Sequence, residues 1–103
     1  MGMTVQLVDE RGVGISSPVL DTGNVFPTLL TAASSEKFHQ LNHIDLYGQT
    51  TFNASQLDVV VQEWDVLARH ATSEQQSRLL SEVSELIARA RAEVHLFVRF
   101  DGD

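Results

Sequence analysis

The 103-residue sequence predicts an α+β fold in two layers, with an antiparallel helical hairpin packed on one face of a mainly antiparallel sheet of three to four strands. Three patterns lead there. From Leu57 onward, apolar side chains recur at steps of three and four. The two ends of the chain instead alternate apolar with polar residues, the period of a strand. Both prolines and five of the six glycines fall before residue 50, which leaves the second half free to be helical.

Taken in chain order, Val5 and Leu7 alternate with Thr4 and Gln6, and Asp9-Glu10-Arg11-Gly12 can turn the chain into a second strand over 13–16, giving an N-terminal hairpin within 3–20. In the stretch 21–43, Val25, Phe26, Leu29, Leu30 and Ala33 suggest a short helix with Pro27 in its first turn. Residues 44–53 form a strand or turn segment, in which Ile44, Leu46, Thr50 and Phe52 share one face unless Tyr47-Gly48 breaks the register. The helical hairpin occupies 54–94. Its first stripe is Leu57, Val60, Val61, Trp64, Leu67, Ala68 and Ala71, with Asn53 or Ser55 as its cap, and Trp64 is expected in the core. Its second is Leu79, Leu80, Val83, Leu86, Ile87, Ala90 and Val94, opened by Thr72 with Gln75 or Ser73 with Gln76. Asp65 with Arg69, Glu74 with Arg78, and Glu85 with Arg89 have the spacing of helical ion pairs on a solvated face. A C-terminal strand over 95–100 completes a single domain spanning 1–103.

Composition narrows the function classes. There are no cysteines, which removes thiol nucleophiles and disulfide scaffolds and fits a reducing compartment; the expected address is cytoplasmic. Fourteen acidic against seven basic residues give −7, a charge that repels phosphate backbones, so nucleic acid is not an expected partner. No apolar run approaches the roughly 18 residues of a bilayer span, and no membrane association is expected.

Asp21-Thr22-Gly23 resembles the active-site loop of aspartic proteases, but that family is almost entirely β, and Asp-Thr-Gly is also ordinary turn chemistry, which is the reading adopted. His39 and His43 are four apart and would share a helical face, with Asp45 as a third donor; these three are the candidate metal ligands, although a zincin's glutamate is missing. His70, near a helix end, is expected to favour the backbone dipole. Gly12-Val13-Gly14 lacks the rest of a dinucleotide fingerprint, so no cofactor is expected.

Tyr47 differs from the other aromatics because it stands among Asp45, Gln49, Thr51 and Asn53 rather than on an apolar stripe. An aromatic ring amid short polar groups is a common protein-binding anchor, and Asp45, Tyr47, Gln49 and Asn53 are the candidate partner-binding residues.

The run Ile44-Asp45-Leu46-Tyr47-Gly48-Gln49-Thr50-Thr51-Phe52-Asn53, followed by a helical hairpin and the close His95-Leu96-Phe97-Val98-Arg99-Phe100-Asp101-Gly102-Asp103, resembles small uncharacterised bacterial proteins with an Ile-Asp-x-Tyr-Gly-x-Thr-x-Phe-Asn core. The resemblance implies a bacterial source and one coherent domain. It carries over no catalytic residue.

The sequence thus reads as a non-enzymatic, acidic, soluble interaction domain, of the kind that binds and neutralises or regulates a basic protein, as immunity proteins do. One alternative is a small metal-dependent hydrolase using His39, His43 and Asp45. Another is a structural homodimer joined along an exposed sheet edge such as 13–16.

Overall fold

A computed structural model describes residues 2–102. Its strands are β1 (Thr4–Val8), β2 (Val19–Leu20), β3 (Gln49–Phe52) and β4 (Phe97–Asp101), and its helices are α1 (Val25–Ala32), α2 (Ala54–Ala68) and α3 (Glu74–Ala92). The strands form one antiparallel sheet in the order β2-β1-β4-β3, covered on one face by the helices. This is the two-layer α+β arrangement that the sequence predicts. No helix among the described residues is long and apolar enough to cross a membrane.

The pleat sorts the side chains. Val5, Leu7, Phe52, Val98 and Phe100 are buried beneath the helical stripes, which contribute Leu57, Val60, Trp64, Leu67, Leu79, Leu80, Val83, Ile87 and Ala90. Phe100 sits at the centre of an aromatic group, with ring centroids 6.1 Å from Phe26, 5.8 Å from Phe52 and 5.9 Å from Trp64. The Trp64 indole N–H donates to the Leu80 carbonyl at 3.0 Å, so its polar atom is satisfied inside the core.

Caps set where the helices start. Asn53 begins α2 with a full capping box, its side chain accepting from Gln56 N and Gln56 returning the bond to Asn53 N. Ser73 caps α3 by accepting from Gln76 N, but the Gln76 side chain reaches one residue further back, to Thr72 N. α1 is capped from a distance. Both carboxylate oxygens of buried Asp21 accept from Val25 and Phe26 N–H, at 2.8 and 2.9 Å, so the Asp-Thr-Gly turn serves as a helix start.

Three local expectations are corrected, and the open choice between strand and turn over 44–53 is resolved. The strand expected over 13–16 is reduced to a single bridge between Val8 and Gly14, because side chains replace the ladder: Ser16 Oγ accepts from Leu7 N, and the Gln6 amide fills the space a side chain at residue 14 would need. In the segment 44–53 only Gln49–Phe52 pairs as a strand, since 45–48 is folded back as a turn. Val94 is 83% exposed rather than on the buried stripe, because α3 ends at Ala92 and Glu93 is already extended. Finally, none of the three spaced acid–base pairs forms among the described residues. Arg89 reaches forward to Glu93 and Arg91 crosses to Asp58, which joins the end of α3 to the start of α2.

Candidate functional site

The segment 44–48 is a turn whose polar groups are spent on holding its own shape. Asp45 Oδ1 accepts from Tyr47 N at 2.8 Å, and Thr50 Oγ1 accepts from Asp45 N at 2.9 Å while donating to the His43 carbonyl at 3.4 Å. From the other side, Gly102 N donates to the Gly48 carbonyl at 2.6 Å. Residue 102 has to be glycine. A Cβ there would overlap the Leu46 carbonyl and lie 2.6 Å from the Asp45 carbonyl oxygen. A rigid loop results, and Tyr47 projects from it with 85% of its surface exposed.

The four candidate binding residues therefore divide by role. Tyr47 and Gln49 are exposed, and neither side chain has a hydrogen-bond partner among the described residues. Asp45 and Asn53 are also exposed, but Asp45 fixes the turn and Asn53 caps α2.

Gln49 and Thr51 pair with Asp101 and Arg99, which in turn oppose Thr4 and Gln6, so all six lie on the sheet face that no helix covers. Arg99 lies at its middle, with Nε donating to Asp101 Oδ2 at 2.9 Å and Nη1 to the Gly12 carbonyl at 3.0 Å. A shallow cavity of about 350 Å³ opens beside it, lined by Arg11, Gln49, Thr51, Phe97 and Arg99 among others. The adjoining loop is ordered by Asp9, whose Oδ1 accepts from Arg11 and Val13 N–H, and by Gly12 at φ 80°. The Val13 N–H above all, then the Arg11 N–H and guanidinium, hold the Asp9 carboxyl below the usual carboxylate range.

The histidines are scattered. His39 and His43 do not share a helical face, because the amides of His39, Gln40 and Leu41 turn toward the Glu63 carboxylate, and only a single 3₁₀ turn over Leu41–His43 follows. Among the described residues no three His, Cys, Asp or Glu side chains are grouped as a metal site, so His39, His43 and Asp45 are not brought together as one. His70 meets Glu36 at 2.9 Å instead of the end of its own helix, and His95 meets Glu10 at 2.8 Å.

Sequence reasoning missed Glu63, the buried carboxylate on α2 that accepts those three amides and clamps 39–41 against the helix. A signal was present. Glu63 falls three residues after Val60 and four before Leu67, within the apolar stripe, where an acid has to be paired or richly hydrogen-bonded.

No protein-family model, curated protein or solved structure matches the chain.

Proposed function

We propose that the protein is a non-enzymatic interaction domain of the immunity or regulator type, working in a bacterial cytoplasm and holding a basic protein partner through Tyr47. The observation that carries this reading is an almost fully exposed tyrosine on a turn that is otherwise internally bonded. A turn whose backbone is fixed before binding presents the ring without a loop-ordering cost on docking, and tyrosine is among the residues enriched at interface hot spots. Charge supports the sign of the partner. The net charge is −7, and Asp65, Glu74, Glu82 and Glu85 have no ion-pair partner among the described residues.

The test is affinity capture from the source organism with wild-type and Tyr47→Ala baits, followed by titration of the recovered basic protein. Loss of a hot spot worth about 2 kcal/mol or more weakens binding roughly thirtyfold or more. Equal affinity for the two baits rejects Tyr47 as the anchor. Gln49→Ala is expected to weaken binding less, and Asn53→Ala to act through stability.

A further inference from the structure

β3 is one edge of the sheet, and the hydrogen-bond alternation fixes which of its groups face outward. Gly102 N donates to the Gly48 carbonyl while Gly48 N turns back to the Asp45 carbonyl, and this single bond sets the alternation, so that Thr50 with Phe100 and Phe52 with Val98 are the bonded pairs of the ladder. The backbone N–H and C=O of Gln49 and of Thr51 therefore point away from β4. No turn, loop or side chain among the described residues bonds to them.

The opposite side of the sheet is treated differently. Asp21 N donates to the Met3 carbonyl, Ile15 N to the Leu7 carbonyl, and Leu7 N to Ser16 Oγ, so β1 is fully bonded on that side. β2 beyond it is two residues long and follows Pro18, which has no N–H to offer. Sheet edges are commonly protected by charge, proline or brevity. β3 carries neither charge nor proline, and at four residues it is short but twice the length of β2.

We infer that β3 is the seam of a symmetric dimer with a second copy of this chain. The strands run antiparallel about a two-fold axis at Thr50, and Gln49 of each copy exchanges N–H···O=C bonds with Thr51 of the partner subunit. The outward residues lie symmetrically on either side of Thr50, so the reversed strand presents the same groups in the same register. The Gln49 and Thr51 side chains become cross-strand neighbours that hydrogen-bond on the open face. Two molecules of charge −7 meet with least repulsion along a strip without ionisable side chains, and 48–53 is such a strip. Tyr47 precedes the strand and contributes none of these backbone bonds, whereas Gln49 belongs both to the seam and to the candidate surface for the basic partner, so the seam is tested on the purified chain with no basic partner present.

Sedimentation equilibrium of the full chain tests it. The expected result is a monomer–dimer equilibrium reaching twice the 11.4 kDa chain mass at micromolar to millimolar concentration. Thr51→Pro removes an outward N–H and no ladder bond, so it abolishes the dimer while the circular dichroism spectrum stays that of the wild type. The double variant Gln49→Glu with Thr51→Glu leaves the backbone intact and abolishes the dimer by adding like charge on both sides of the seam, whereas Tyr47→Ala leaves the mass unchanged. A chain that stays monomeric at millimolar concentration overturns the inference. So does a dimer that survives both sets of edge substitutions, or a monomer that takes up a foreign extended segment at β3 instead.

Discussion

Glu63 shows how one buried charge can organise a segment with no regular structure. Its carboxylate accepts from His39, Gln40 and Leu41 N–H, so the cost of removing it from water is offset by charge-assisted bonds. Glu63→Gln replaces one acceptor oxygen with a donor facing donors. It should cost about 1–3 kcal/mol in urea unfolding and speed hydrogen exchange at those three amides before elsewhere. Asp9 makes a pH-dependent counterpart. Its folded pKa is depressed, so its contribution to stability is present above the unfolded carboxyl value of about 3.9 and is lost as pH falls through the lower folded value. A carbon-detected NMR titration should place the Asp9 midpoint below the ordinary aspartate value, and the difference in Tm between wild type and Asp9→Ala should close as the solution is acidified through it. Periodicity marks Glu63 as a buried acid and is silent on Asp9, and for neither does it name the partners, because each bonds to backbone amides that the pattern of side chains leaves undetermined.

At the scale of elements, helices were the most legible part of the chain, and for a physical reason. The stripes of α2 and α3 repeat over several turns, so a single exception such as Glu63 does not hide them. The caps were legible to a choice of two each, Asn53 or Ser55 and Thr72 or Ser73, and Asn53 and Ser73 are the ones that meet an N–H with no partner within the helix. Asn53→Ala should destabilise the protein by about 1 kcal/mol in thermal or urea unfolding. Short strands were less legible. The segment 13–16 has the composition of a strand, yet Ser16 Oγ and the Gln6 amide take the bonds that a ladder would make, and sequence does not say which group wins. The turn at 45–48 was one of two readings open for 44–53, and its tether to Gly102, more than fifty residues away, leaves no local trace that would have chosen between them. Gly102→Ala should therefore broaden the NMR signals of Tyr47 and lower stability by about 1–3 kcal/mol, through overlap with the Asp45 and Leu46 carbonyls.

For the whole molecule, the two layers meet at Phe100, which touches Phe26, Phe52 and Trp64 and so joins α1, β3, α2 and β4. Phe100→Ala should cost about 3–5 kcal/mol in urea unfolding and leave one cooperative transition at a lower midpoint. The candidate site was half legible: Tyr47 was visible as an aromatic off the apolar stripes, while the structural duties of Asp45 and Asn53 emerge only when their bonds are traced. Net charge acts at this scale too, so association with a basic partner should slow as salt is raised, readable in stopped-flow on-rates. The unequal margins of the sheet reach beyond the single molecule. With Pro18 and the short β2 strand at one margin, a chain joined through β3 offers no second sticky side, so assembly ends as a closed pair and does not propagate into ribbons or fibrils.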